Sequence, residues 1–133
     1  MSTQATGAFE GKTWDEVPYS EVEGGAKLAR ASVTNVFSGG VEGEGTLEYL
    51  LVYGPDGSGG FVGFEQVVGS IGGRSGSFAL RHEGTFEGST VKATWSVVPG
   101  SGAGELAGLR GEGGFVSEHG TPQTPFTLDH DFE

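Results

Sequence analysis

The stretch Thr94-Trp95-Ser96-Val97-Val98-Pro99-Gly100-Ser101-Gly102-Ala103-Gly104-Glu105-Leu106-Ala107-Gly108-Leu109-Arg110-Gly111 runs an alternating apolar/polar segment into a Pro/Gly/Ser turn and then resumes the alternation. Alternation on both sides of a turn is the pattern of a β-hairpin. The same pattern recurs along the chain and marks eight strand candidates, at 6–17, 26–37, 41–53, 60–69, 74–87, 90–98, 103–116 and 124–132. Short turn sequences separate them, among them Ser38-Gly39-Gly40, Pro55-Asp56-Gly57-Ser58-Gly59 and Gly88-Ser89. With every connection short, neighbours in sequence are expected to be neighbours in space. Such an order predicts an all-β fold, a closed eight-stranded antiparallel up-and-down (meander) barrel, because closure leaves no unpaired edge. A two-sheet sandwich of the same strands is the alternative. Glycines inside the strands, such as Gly45, Gly63 and Gly113, suit the coiling that a small barrel needs.

Composition is consistent with one folded domain over residues 1–133. The 27 glycines and 5 prolines fall between apolar-alternating segments and not in tracts. Cysteine is absent, so neither a disulfide framework nor a thiolate zinc site is available. The formal charge of −11, with 7 Lys and Arg scattered singly, repels phosphate backbones and argues against a nucleic-acid partner. No stretch approaches the roughly 20 consecutive apolar residues of a membrane helix, and Met1 to Ala8 has neither a basic region nor an apolar core. A soluble, cytoplasmic protein without a membrane partner is the expectation.

Alternation also predicts which side chains face inward. On 74–82 the apolar parity carries Arg74, Phe78, Leu80 and His82; on 91–97 it carries Val91, Ala93, Trp95 and Val97; on 126–132 it carries Phe126, Leu128, His130 and Phe132. Glu65 shares its face with Phe61 and Val67, and Glu105 shares its face with Leu109 and Phe115. A carboxylate among apolar neighbours is either paired or shifted toward acid/base chemistry. The interior polar set is therefore Glu65, Arg74, His82, Glu105 and His130. For Glu65 with Arg74, a buried ion pair stands beside a catalytic base as an equal reading. His82 and His130 read individually as core or rim histidines, and Trp95 as core. The acidic face Glu42, Glu44 and Glu48 reads as solvated opposite an inner face of Leu47, Tyr49 and Leu51.

Other chemistries find no support. Gly72-Gly73-Arg74-Ser75-Gly76 opens no predicted helix and lacks the Lys-Ser/Thr pair of a phosphate loop. No elbow motif surrounds Ser75 or Ser77, and no His spacing supports a metal site, so neither a metal nor a cofactor is expected.

The motifs GGVEGEGTLEYL (39–50), FVGFEQVVGSIGGRSGSF (61–78), TWSVVPGSGAGELAGLRGEGGF (94–115) and Thr127-Leu128-Asp129 resemble an uncharacterised bacterial family of about this length, common in actinobacteria, with a barrel similar to allene oxide cyclase. That resemblance implies a lipocalin-like cavity binding an apolar, reactive molecule; none of the plant enzyme's catalytic residues is carried over. Two functions are expected. One is a cofactor-independent isomerase or cyclase acting on an apolar oxygenated, polyketide- or fatty-acid-like substrate. There Glu65 or Glu105 would be acid/base, Arg74 or His82 would polarise oxygen, and Trp95, Phe61, Phe78, Leu80, Phe115, Phe126 and His130 would line the site near Trp95. The other is a non-catalytic binder, or a filled barrel with a role in assembly. Outward Phe64, Tyr53 and Val62 predict a homo-oligomer, a dimer or higher.

Overall fold

Residues 2–133 are described by a computed structural model, and among them no residue is helical. Nine strands follow in chain order: β1 (Thr3–Glu21), β2 (Lys27–Gly39), β3 (Val41–Tyr53), β4 (Gly59–Ile71), β5 (Arg74–Glu87), β6 (Thr90–Val97), β7 (Ala103–Gly104), β8 (Leu109–Glu118) and β9 (Thr124–Phe132). Every pairing is antiparallel, and the ladder β1-β2-β3-β4-β5-β6-β8-β9 returns to β1, giving a closed eight-stranded meander barrel. The extra strand, β7, is two residues long and lies on β5, with Gly76 opposite Gly104 and Ser77 opposite Ala103.

The expected strand at 103–116 is therefore broken. Gly104 and Gly108 take φ of +66° and +83°, a backbone that side-chain-bearing residues rarely adopt, and the chain turns through Glu105–Ala107 between them. That turn buries Leu106 in the core beside β5 and brings β8 in only at Leu109. Trp95 accordingly pairs with Gly113, not with a residue near Glu105.

Odd positions of β2, β3 and β4 and even positions of β5 and β9 face inward, as the alternation predicts. Away from the open end the barrel is filled by Val67, Phe78, Leu80, Trp95 and Leu128 among others. Trp95 sits in a cage of rings from Phe9, Phe37, His82, Phe115 and Phe126, and its indole N–H donates to the Thr127 carbonyl at 3.0 Å. The barrel wall is uneven at β1. Only Thr3–Phe9 pair with β9, whereas the strand continues to Glu21 along β2 alone. Two register shifts, at Gly11/Thr13 and at Pro18/Ser20, bend this extension.

Candidate functional site

Four buried side chains from four consecutive strands form one polar chain inside the barrel. The Asn35 amide of β2 donates to Glu65 Oε2 of β4 at 2.8 Å, Glu65 Oε1 lies 2.9 Å from His82 Nε2 of β5, and His82 Nδ1 lies 3.1 Å from the Tyr49 hydroxyl of β3. Glu65 and His82 are 0% and 1% exposed, so solvent screens neither. With Glu65 as carboxylate, His82 Nε2–H donates to it, and the other ring nitrogen is left to accept the Tyr49 proton. Burial pushes the Tyr49 hydroxyl far above its ordinary value, and the nearby Glu65 charge pushes it the same way.

Two glycines make room for this arrangement. Gly45 stands beside Asn35 on β3, and a Cβ there would run into Glu65 Oε2. Gly63 lies in register between Tyr49 and His82, and a Cβ there would stand 2.8 Å from Tyr49 Cδ1. The missing side chain at Gly63 lets Tyr49 lean over β4 to reach the imidazole, and the one missing at Gly45 leaves room for the Glu65 carboxylate.

Above the chain the barrel is open. A pocket of about 710 Å³ is walled by Phe9, Trp14, Tyr53, Phe61, Phe86 and Phe115, and it includes Asn35 and Tyr49 among its lining residues. That volume lies within the roughly 300–1,000 Å³ of small-molecule sites. One side of the mouth is the extension of β1 that pairs with β2 alone, from Glu10 to Trp14; the other is the turn carrying His119, Thr121 and Pro122. Glu16 ties the extension down, accepting from the Tyr53 hydroxyl at 2.6 Å and from the Trp14 indole at 3.0 Å. Burial, and then Glu16 as acceptor and as neighbouring charge, push the Tyr53 hydroxyl up to about 12. Lys27 lies 4.4 Å over the Tyr53 ring.

The expected site residues divide three ways. Glu65 and His82 meet, as a pair joined by a hydrogen bond. Phe61 and Phe115 line the pocket, whereas Phe78, Leu80, Trp95 and Phe126 are buried outside its lining. His130 is buried on β9, with Nδ1 3.4 Å from the Leu128 carbonyl and its ring against Phe132, apart from the polar chain. Arg74 and Glu105 correct the expectation. Arg74 is the first residue of β5, exposed, with its guanidinium 4.1 Å over the Phe132 ring, and it makes no ion pair with Glu65. Glu105 lies exposed in the turn after β7 and accepts the Ser75 amide at 3.0 Å. Tyr53, expected outside, faces the mouth. Asn35 was not foreseen; its parity with Ala31, Val33 and Phe37 on β2 was the available signal.

The fold and site define a small closed antiparallel barrel, filled at one end and open at the other over a buried Asn-Glu-His-Tyr chain. The chain belongs to the DUF3224 family of proteins of unknown function, whose model matches residues 5–130. It is similar to the crystal structure of a protein of unknown function from the same family from Shewanella oneidensis MR-1. The two share 36% identity and a TM-score of 0.82, over 100% of this chain and 99% of that one. No curated protein matches the chain.

Proposed function

We propose that the open end of the barrel binds an apolar, oxygen-bearing small molecule and that the protein isomerises or cyclises it without a cofactor. The observation that carries this reading is the placement of Tyr49. Its side chain borders an aromatic pocket, while its hydroxyl is hydrogen-bonded to His82, which is hydrogen-bonded in turn to Glu65. A buried carboxylate and imidazole add little net stability over apolar residues of similar volume, so their retention beneath a pocket favours chemistry. The aromatic walls would hold a polyketide- or fatty-acid-like ligand in one conformation, and Tyr49 would hold its oxygen. The likeness to allene oxide cyclase expected from the sequence fits ring closure as one such reaction. A carrier without chemistry is the second reading, favoured by the seclusion of Glu65 and His82 from the pocket lining.

Trp14 is the reporter for either reading, because it lines the pocket and is 53% exposed, whereas Trp95 is caged below. Titration with a panel of fatty acids and aromatic polyketide fragments is expected to quench or shift Trp14 emission, and Trp14→Phe to abolish the response. Absence of any response across the panel would reject binding at this end. Ligands recovered unchanged after prolonged incubation would favour the carrier.

A further inference from the structure

We propose, resting on the ligand-binding reading above, that the pocket selects planar enols and phenols, whose hydroxyl proton passes through Tyr49 to His82. Three observations lead there. The walls are aromatic, with Phe61 and Phe86 turned nearly parallel, 13° apart, and Phe9 and Phe115 edge to face, so flat molecules fit best. With the Glu65 carboxylate holding the Nε2–H tautomer of His82, Tyr49 gives its single donor to His82 Nδ1, so its oxygen has only acceptor capacity left for a ligand and calls for a ligand that donates. A ketone or ether oxygen, which only accepts, would leave both partners without a proton between them. Third, the far side of the imidazole rests on the Glu65 carboxylate, which Asn35 in turn holds through its other oxygen. A positive charge formed on His82 is thus met at 2.9 Å inside the barrel.

The transfer balances within these groups. The ligand O–H bond breaks as a new O–H bond forms at Tyr49; the original Tyr49 O–H bond breaks as an N–H bond forms at His82 Nδ1. The ligand is left as enolate or phenolate, and His82 as imidazolium against Glu65. For an enol, carbon then takes a proton from water, and the hydroxide so formed recovers the relay proton through Tyr49. The product is the keto tautomer, with the relay restored. Tyr49 is the group that touches the ligand; Glu65 and Asn35 are positioning residues. The pocket's other ionisable residues, Glu10, Lys12, Tyr53 and His119, are at least partly exposed and belong to the mouth, with the Tyr53 hydroxyl donating to Glu16.

The test uses 4-nitrophenol, whose phenolate and neutral forms absorb differently, and 4-nitroanisole, which has the same ring and no proton to give. Below the solution pKa of the phenol, bound 4-nitrophenol is expected to appear as phenolate, its apparent pKa lowered by about one unit or more. Trp14 quenching reports occupancy separately. In Glu65→Gln the phenolate band should fall about tenfold while quenching persists, and in Tyr49→Phe the band should vanish. 4-Nitroanisole should bind more weakly than the phenol. If 4-nitrophenol quenches Trp14 but stays neutral, or if its ionisation is the same in Glu65→Gln and Tyr49→Phe as in the parent protein, the relay is overturned and the pocket stands. If neither probe quenches Trp14, the pocket reading falls and this inference with it. The wild-type spectrum decides the question even where a variant does not fold.

Discussion

Glu65 shows how much one residue depends on the absence of another. Its carboxylate is held where a side chain at position 45 would be, and a Cβ there would also approach Phe37 Cε1 to 3.0 Å. Gly45→Ala is therefore expected to push Glu65 off Asn35 and to cost about 1–3 kcal/mol, the usual range for overpacking. Gly11→Ala is the control, since its Cβ would meet only Asn35 Oδ1, at an ordinary 3.6 Å. Equilibrium urea unfolding of the two variants checks this; equal losses would place the carboxylate elsewhere. Alternation was enough to find Glu65 and His82, because each sits among apolar residues of one parity. It misplaced Arg74 because parity sets a direction relative to the sheet, and at the first residue of β5 that direction leads to solvent and the Phe132 ring. The link from Glu65 to Asn35 and Tyr49 depends on how side chains lean across strands, and strand periodicity carries no such information.

At the scale of elements, the meander order and the inner faces followed from turn chemistry and period-two alternation. The segment 103–108 did not, because its Ala-Gly spacing alternates as a strand does while Gly104 and Gly108 turn the backbone. The reach of β1 to Glu21 was also missed, since Pro18 reads as a strand ending. Along an edge that pairs on one side only, proline is tolerated, and together with the two register shifts it protects that edge from pairing with another chain. Across β2, whose inward residues there are Ala29 and Ala31, the Tyr53–Glu16 bond ties β1 to β3. The raised Tyr53 value fixes the sign of its pH dependence. Its stabilising contribution is whole below pH 10.0, the ordinary value, and is lost as the pH climbs toward about 12. Denaturant midpoints measured through that window should fall less steeply in Tyr53→Phe than in the parent protein. Parallel curves would mean that the bond does not hold the extension.

For the whole molecule, the outer wall bears on assembly. Leu50, Val52, Val62 and Phe64 adjoin one another on the outside of β3 and β4, with Phe64 60% exposed. An Arg–Glu pair stands on each side, Arg30 with Glu48 and Arg81 with Glu83. An apolar centre flanked on both sides by the same two charges is complementary to itself under a two-fold rotation. Light scattering at micromolar concentration is expected to give a dimer, and Phe64→Lys a monomer; a parent protein that is strictly monomeric would remove this expectation. The barrel also has a seam. Between Phe9 and Thr124 the wall stops being stitched on both sides, and from Glu10 onward β1 hangs from β2 alone. Backbone amides of a strand held on one edge need fewer bonds broken to meet solvent, so this stretch should be the first to exchange its hydrogens for deuterium. Because it is also one jamb of the pocket's doorway, the molecule would breathe at the pocket's mouth, while the opposite wall, from β3 to β6, keeps the floor still.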